Sequence, residues 1–359
     1  MIRLTWRQFR FQALAVLAVL MVVAGVLLVT GIHLVHLYDT TVTSCRATGD
    51  CARATTAFLN DDHLIQVGLP PVLLVLPPLV GVFWGAPLIA RELETGTFRL
   101  AWTQSVTRTR WLAVKVAVVG FASVAAVGLV TLLATWWLSP FDSINSNRFS
   151  PGTFGERGLV PLGYAAFGFA VGVTVGLLLR RALPAMVVTI VAYIGTLLTM
   201  ALVIRPHLMT PLTIVKPFPV PNANGGVSVF NFGTSPNDWV LSQETVNGAG
   251  KVIGQHGGIG PNGGLGFDIT PSGAVKVPGL GTCPGAHLTP PVPGSDVPTT
   301  GQDGKAFQAC VNHFHIHQVL TYQPASRYWA FQCYETAIFF VLAALLVGFC
   351  FWWVRRRLA

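Results

Sequence analysis

Six long stretches almost free of charged side chains divide the sequence, and each is long enough to cross a bilayer. A helix needs about 20 apolar residues to cross the hydrocarbon core, where no water is present to bond its backbone. Each stretch is therefore predicted to be a membrane helix. The six are centred on Ala13–Ile32, Leu69–Ile89, Val116–Leu138, Leu159–Leu179, Leu183–Ile204 and Thr336–Val354.

Composition separates this chain from soluble proteins. Only 10% of its 359 residues are charged and 52% are hydrophobic, whereas about a quarter of the residues of a soluble domain are charged. The sequence therefore predicts an all-α polytopic membrane protein with six transmembrane helices. The net charge of +9 would also suit a nucleic-acid-binding protein, but the positions of the charges indicate another cause.

The basic residues cluster in short segments beside the apolar runs. Thirteen of the 23 lie in residues 1–10, in 91–115, in Arg180-Arg181 and in Arg355–Arg357. Short loops rich in Lys and Arg stay on the cytoplasmic side, so both termini are predicted to be cytoplasmic. Anionic lipid at that surface accounts for the positive charge. Membrane lipid is an expected partner, and nucleic acid is not.

The first ten residues predict a basic amphipathic helix at the membrane surface. On a helix Arg3, Arg7 and Arg10 share one side, beside an apolar stripe that includes Trp6. A plain cytoplasmic anchor or the start of a signal sequence would look similar. The charge-free run Phe11–Tyr38 is longer than an ordinary signal peptide core, so we expect no cleavage.

The second apolar run contains five prolines. Proline lacks a backbone N–H and strains the preceding turn of a helix. We therefore expect a kinked or broken helix, or a short re-entrant piece, although proline is also common in membrane helices. These residues are Pro70, Pro71, Pro77, Pro78 and Pro87.

Two patterns lie within the fourth and fifth runs. Gly168, Gly172 and Gly176 make a smooth helix face for a close neighbour, either in the same chain or in a second copy. In the fifth run, a narrow stripe of hydroxyl and thioether groups suits a translocation path. Alternatively, its threonines bond to their own helix. The stripe consists of Thr189, Tyr193, Thr196 and Met200.

Composition and charge divide the chain into four parts. They are a surface helix (1–10), transmembrane helices one to five with a cytoplasmic loop at 91–115 (11–204), a loop domain (205–328), and the sixth helix with a basic tail (329–359). The loop domain is rich in glycine and proline and is predicted to be extracytoplasmic, irregular and β-rich. No long helix is expected in it.

Within this loop domain, alternating residues predict strands at Gly226–Phe232 and Trp239–Val246. The second of these is expected to pair with Lys251–Gly254 through the turn Asn247–Gly250. His313, His315 and His317 would share one face of a strand, and three imidazoles can hold zinc or copper. Because no carboxylate or thiol is clearly placed beside them, a polar surface is the simpler interpretation.

Four cysteines fall in segments predicted to be extracytoplasmic, where disulfides persist. Cys45 and Cys51 bracket a short loop, and Cys283 and Cys310 lie in the loop domain. We predict the bridges Cys45–Cys51 and Cys283–Cys310. The chain contains no phosphate-binding loop of the Walker type, so any ATPase must be another polypeptide, and no cofactor is expected in this one.

One short stretch has a distinctive order of charges. Arg91, Glu92, Glu94, Gly96 and Thr97 follow the second run, Ser105–Arg108 forms a turn, and Lys115 opens the third. This order resembles the first cytoplasmic loop of type 2 ATP-binding-cassette (ABC) exporter permeases. Residues 317–332 are similar to actinobacterial members of that group. The resemblance implies a non-catalytic permease whose loop contacts a separate ATPase subunit, which binds the ATP and magnesium.

Lys and Arg alone would stop a helix at the membrane surface, so the two glutamates of this loop need another explanation. They would pair with Arg91, Arg99 or basic residues of a partner, and Gly96 would allow a sharp break. The coupling residues that the resemblance implies are Glu92, Glu94, Gly96, Thr97, Arg99, Trp102 and Arg108.

The resemblance also implies two permeases, copies or paralogues, that pair with two ATPases in the bacterial plasma membrane. It implies export, often of an amphipathic small molecule such as a drug or antibiotic and sometimes of lipid or polysaccharide. Two other classes stay open. One is a metal-dependent membrane enzyme that uses the loop domain, and the other is a non-transporting sensor or assembly subunit. Glu335, near the start of the sixth run, is expected to cap that helix or to belong to an outer gate.

Overall fold

The protein forms two compact units, and one is inserted into the other along the chain. The helical unit comprises Met1–Leu208 and Tyr328–Ala359, and Met209–Arg327 form the second unit, here called the insert. Arg205 thus belongs to the helical unit. The computed structural model describes residues 2–46, 51, 58, 63–96, 107–144, 148–217, 237–256, 268–269, 274–277, 281–287 and 304–357.

Six helices in these ranges are long and apolar enough to cross a membrane, which confirms the predicted number of spans. Their order follows the six apolar runs of the sequence. They are span 1 (Met21–Thr43), span 2 (Val67–Thr95), span 3 (Arg108–Asp142), span 4 (Val160–Leu179), span 5 (Ala182–His207) and span 6 (Ala325–Arg357).

The helical segments extend beyond some of these apolar windows. The first is one continuous helix from Ile2 to Leu37, without a break after residue 10. The other α-helices of this unit are Ser44–Arg46, His63–Val80, Ala86–Thr95, Arg108–Ile144, Pro151–Glu156, Val160–Leu179, Ala182–Thr199 and Tyr328–Arg357. Three π-helical segments, Tyr38–Thr43, Gly81–Gly85 and Met200–Ile204, continue spans 1, 2 and 5.

The prolines of span 2 do not break it. Four of them lie inside the helix His63–Val80, which passes into the π-helix Gly81–Gly85 and then into Ala86–Thr95. A π segment changes the hydrogen-bond register without ending the helix. Pro87 lies in the first turn of Ala86–Thr95, directly after the π segment.

Span 4 is the most buried span and packs closely against span 2. A Cβ atom on Gly172 would collide with the carbonyl of Gly81, and one on Gly176 with the carbonyl of Ala86. A Cβ on Gly85 would lie 2.7 Å from the Phe169 carbonyl oxygen. The glycine face predicted from the sequence is therefore filled by a neighbour within the same chain.

Spans 1 and 3 pack together with part of span 2. Leu27, Leu34, Trp137 and Phe141 are among the buried side chains of this cluster. The Trp137 indole N–H donates to the Thr30 hydroxyl over 2.9 Å. This bond gives a buried polar group the partner that lipid cannot supply.

A disulfide joins Cys45, beyond the end of span 1, to Cys51, with 5.6 Å between their Cα atoms. It closes the short loop that the sequence predicts.

The insert contains two antiparallel sheets among its described residues. The first has the strand order β1-β7-β2-β3 and the second β4-β5-β6. The strands are β1 (Leu212–Pro217), β2 (Trp239–Val246), β3 (Val252–His256), β4 (Asp268–Ile269), β5 (Ala274–Val277), β6 (Gly281–His287) and β7 (His317–Gln323). The predicted strand Gly226–Phe232 lies outside the described residues.

The hairpin between β2 and β3 follows from its turn residues. The Asn247 side-chain oxygen accepts hydrogen bonds from the backbone N–H groups of Ala249 and Lys251 over 3.1 and 2.9 Å. Gly250 adopts φ 75°, a conformation that glycine reaches without strain. This is the turn expected from Asn247–Gly250.

One helix of the insert, Gly304–His313, was not expected from the sequence. Its Cys310 forms a disulfide with Cys283 of β6, with 5.4 Å between their Cα atoms. The bridge ties the helix to the smaller sheet.

The three histidines do not share a strand face, so that prediction is wrong. His313 ends the helix, His315 lies in a turn at φ 47°, and only His317 is in β7. The reason is local, because the N–H groups of Phe314 and Ile316 bond back to Cys310 and Val311 and keep this segment out of the sheet. No group of three His, Cys, Asp or Glu side chains in the described ranges could hold a metal ion.

Candidate functional site

The end of span 2 carries two predicted coupling residues and stops at a left-handed glycine. Gly96, at φ 71°, follows the helix Ala86–Thr95. Glycine takes this conformation without the steric cost of a Cβ. The Thr95 hydroxyl donates to the Arg91 carbonyl over 2.9 Å. The last turn, which contains Glu92 and Glu94, is therefore a well-defined helix end.

Glu92 connects this end to the start of span 3. Its carboxylate forms an ion pair with Lys115 and accepts a hydrogen bond from the Trp111 indole nitrogen over 3.2 Å. The side chains of Lys115 and Glu92 are 7% and 16% exposed. The Lys115 ammonium also lies 5.1 Å from the centre of the Trp111 ring. The sequence suggested Arg91, Arg99 or basic residues of a partner protein, whereas Glu92 pairs with Lys115 and so joins two spans.

Glu94 is exposed and connects the same helix end to span 5. Its Oε2 accepts a hydrogen bond from the backbone N–H of Ala182 over 3.2 Å. Arg181, at the N-cap position, makes no side-chain cap bond. The first N–H groups of a helix lack helical partners, and a carboxylate there matches the positive end of the dipole. Glu94 therefore caps span 5 from span 2.

A second charged cluster is buried at the opposite end of span 4. Arg205 of span 5 and Glu335 of span 6 are 1% and 0% exposed. Nε and Nη2 of Arg205 donate to the two Glu335 carboxylate oxygens over 2.8 and 2.9 Å. The Tyr164 hydroxyl of span 4 donates to the same carboxylate and accepts from Nη2 over 3.3 Å. The guanidinium carbon lies 4.2 Å from the centre of the Phe154 ring.

This bidentate pair fixes the relative position of three spans. Two hydrogen bonds in a planar fork define geometry more closely than a single contact. Removal of one partner of a buried pair typically costs about 3–5 kcal/mol, because it leaves the other charge uncompensated. Ionisable side chains within membrane spans are functional candidates by default. Arg205 and Glu335 therefore form the second candidate site.

Gln332, one turn before Glu335, adds neutral contacts on the same face of span 6. Its Oε1 accepts hydrogen bonds from the N–H groups of Leu159 and Val160 over 2.9 and 3.0 Å. Its Nε2 donates to the Phe154 carbonyl over 3.1 Å. Gln332 thereby caps span 4 from span 6 and fixes the helix Pro151–Glu156 next to the charged cluster.

Sequence comparison identifies the family to which this arrangement belongs. Residues 17–205, more than half of the chain, match the family described as ABC-2 membrane transporter related. The chain belongs to the ABC-2 membrane transporter related family. No curated protein and no solved structure matches it. Membership and the six apolar helices make the chain a multi-pass membrane protein of the transport-permease type.

ABC-2 permeases are membrane subunits that are generally not catalytic and typically work with an ATPase subunit. In this ABC-2-related chain the matched region covers Glu92 and Glu94 and ends at Arg205. Glu335 and the whole insert lie beyond it. The family match therefore includes the first candidate site and one half of the second.

The predicted path residues of this ABC-2-related permease face its interior. Thr189, Tyr193 and Met200 are buried and Thr196 is half-buried. The hydroxyls of Thr189 and Thr196 donate to the carbonyls one turn earlier in span 5, over 2.6 and 2.9 Å. Tyr193 packs edge-on against Tyr164 of span 4. In this conformation the stripe contributes to helix packing.

The structure brings together only some of the predicted coupling residues. Thr97, Arg99 and Trp102 lie outside the described residues, and Arg108 begins span 3 as a half-buried side chain. Glu335 does not cap span 6, because the helix already begins at Tyr328 and Glu335 lies about two turns inside it. Arg205 was not predicted as a functional residue. Its one signal was a basic residue directly after an apolar run.

A smaller charged group lies between spans 3 and 4. Arg157 forms an ion pair with Asp142, whose carboxylate is also 3.8 Å from Arg148. Burial lowers the pKa of the Arg157 guanidinium to about 10. Burial raises the pKa of the Glu156 carboxyl to about 7. Burial therefore brings the change in charge of the Glu156 carboxyl close to neutral pH.

Proposed function

We propose that this chain is the membrane-spanning subunit of an ABC exporter driven by ATP hydrolysis in a separate ATPase subunit. The observation that supports the proposal most directly is the pair of contacts from one helix end to two other spans. A displacement of the end of span 2 would reach span 3 through Glu92 and span 5 through Glu94. Two permeases, copies or paralogues, would pair with two ATPases that carry the ATP and magnesium.

In the proposed orientation, loop 91–115 and both termini face the cytoplasm and the insert faces outward. The clustering of Lys and Arg in short segments supports this orientation. Cys45–Cys51 and Cys283–Cys310 then lie on the side of the bacterial plasma membrane where disulfides persist.

In the proposed cycle, ATP binding closes the ATPases and displaces loop 91–115. The displacement opens a path between spans 2 and 5, through which an amphipathic small molecule leaves the cell. Thr189, Tyr193, Thr196 and Met200 line that path in the open state. Because Tyr193 packs against Tyr164 of span 4 in this structure, the cycle requires span 5 to move away from span 4.

The first test is capture of the full-length tagged chain from native membranes. We expect a nucleotide-binding subunit to copurify, with an ATPase rate that amphipathic compounds change. Capture without such a subunit would contradict the exporter assignment and favour an assembly role. A copurifying ATPase whose rate no compound changes would favour a sensor role.

The second test uses the two glutamates. Glu92→Ala with Glu94→Ala is expected to reduce transport per ATP hydrolysed by roughly 5–150-fold, the range of ordinary coupling energies. Membrane insertion should be retained. Glu92→Ala and Glu92→Gln both remove the ion pair with Lys115. Glu92→Gln with Glu94→Gln is therefore the matched control, because it differs from the alanine variant in keeping an acceptor oxygen at each position. Wild-type efflux in the double alanine variant would refute the coupling role.

A further inference from the structure

Span 5 is held at both ends by polar contacts with other spans. At its start, the backbone N–H of Ala182 donates to Glu94 of span 2. At its end, Arg205 is bonded to Glu335 of span 6 and to Tyr164 of span 4. The two contacts are 23 residues apart, or about 35 Å along a helix.

Between these contacts, little of span 5 is enclosed. Leu183, Val191 and Leu202 are more than half exposed, and a narrow stripe that includes Thr189 and Tyr193 faces the interior. Apolar contact with lipid does not hold a helix at one position along its axis, since lipid and apolar side chains are alike. The polar contacts at the ends therefore act together with the buried stripe, through which Tyr193 packs on Tyr164, to set the axial position of this helix.

The last turns of span 5 differ from a regular α-helix. Met200–Ile204 is π-helical and Arg205–His207 is a 3₁₀ turn. A π segment rotates the residues that follow it relative to an α-helical continuation, and such segments are frequent at functional sites. Here the change in register comes directly before Arg205 and directs its guanidinium toward span 6. The geometry of the Arg205–Glu335 pair therefore depends on the position of span 5 along its own axis.

We propose that span 5 is a mechanical link between its two end contacts. Displacement of the end of span 2 would pull on Ala182 through Glu94, shift the helix along its axis and change the geometry of the Arg205–Glu335 pair. Arg205 and Glu335 are then positioning residues that set the place of span 6. The use of this link in export depends on the proposed function, but the link itself does not.

The test removes the contact at one end of span 5 and measures amide hydrogen exchange at the other end. The full-length chain in lipid nanodiscs, without any ATPase, is compared by amide hydrogen exchange as wild type, Glu94→Ala and Glu94→Gln. Glu94 is exposed, so both variants should fold. Glu94→Ala removes the acceptor and is expected to speed exchange roughly fivefold, the effect of one lost hydrogen bond, at residues 182–186 and also at 200–208. Glu94→Gln keeps an acceptor oxygen and should resemble wild type at both ends.

A reciprocal variant makes the same comparison from the other end. Arg205→Met with Glu335→Leu replaces the pair with apolar groups of similar size, a change that buried pairs often tolerate. Faster exchange at residues 182–186 is expected. Changes confined to the mutated end in Glu94→Ala would overturn the link. Because no partner is present, that result would leave the exporter proposal standing, whereas failed capture of an ATPase would leave the link standing.

Discussion

At the scale of single residues, Arg205 and Glu335 show that a buried charged side chain needs hydrogen-bond partners from the protein itself. Both side chains are buried, so each depends on the hydrogen bonds that the other and Tyr164 provide. The sequence could not pair them, because 130 residues separate them and charge alone does not specify a partner. Glu92 and Lys115, by contrast, lie in one short stretch, residues 91–115, whose order of charges is distinctive in the sequence.

Glu156 gives a prediction about pH. Its carboxyl pKa is raised from 4.5 to about 7, so the folded protein holds a proton that the unfolded chain has lost between these values. The stabilisation is complete below about pH 4.5 and is lost as the pH rises through about 7. We expect the thermal unfolding midpoint of the wild type in nanodiscs to fall between pH 5 and pH 8.

The matched control is Glu156→Gln, which stays neutral at every pH. Its unfolding midpoint should fall less than that of the wild type over the same interval, and the two should be closest at pH 5. Because other groups titrate in both proteins, the effect of Glu156 is the difference between the wild type and the variant in how far the unfolding midpoint falls. If the unfolding midpoints of the wild type and Glu156→Gln changed with pH in parallel, burial would not raise the pKa of the Glu156 carboxyl.

At the scale of elements, the contact between spans 2 and 4 depends on glycine. Gly172→Ala is expected to destabilise the helical unit by about 1–3 kcal/mol, the usual cost of overpacking. The reason is that the new methyl group meets the backbone of Gly81 and Ala86, which cannot rotate away. Resistance to unfolding by denaturing detergent measures the change.

Gly195→Ala in span 5 is the control for this prediction. No atom lies within 4 Å of a Cβ at that position, so alanine should be neutral or gain up to about 1 kcal/mol in helix propensity. Equal loss of stability in both variants would indicate a general effect of helix substitution and contradict the close contact.

The sequence predicted those elements whose residue pattern is long or distinctive, and it missed those whose pattern is short. The spans were predictable because lipid excludes charge from about 20 consecutive residues. The hairpin of β2 and β3 was predictable from Asn247–Gly250. The helix Gly304–His313 was missed because it is only ten residues long, and a few apolar residues at helical spacing, such as Phe307, Cys310 and Val311, are a weak signal in so short a segment. The strand assigned to the three histidines failed for the same reason, since that helix and its turn occupy the segment.

At the scale of the whole molecule, the cysteines test the arrangement of the chain in native membranes. A peptide map without reductant should link Cys45 with Cys51 and Cys283 with Cys310. Cys333 and Cys350 are unbridged in the structure and should be recovered as thiols. Their thiol groups serve as the internal control for alkylation.

Reduction before alkylation should release both linked peptide pairs. Free thiols at Cys45 and Cys51 in the unreduced sample would contradict both that bridge and the proposed orientation of span 1. Free thiols at Cys283 and Cys310 would contradict the tie between the helix Gly304–His313 and β6.

The bond between Arg205 and Glu335 lies close to both points at which the chain passes between the helical unit and the insert. The polypeptide leaves the helical unit after Leu208 and rejoins it at Tyr328, and both points lie within a few residues of the bonded pair. Exit and re-entry are therefore close neighbours. Such a site tolerates exchange of the intervening segment for a shorter or unrelated one without rebuilding the bundle that carries it.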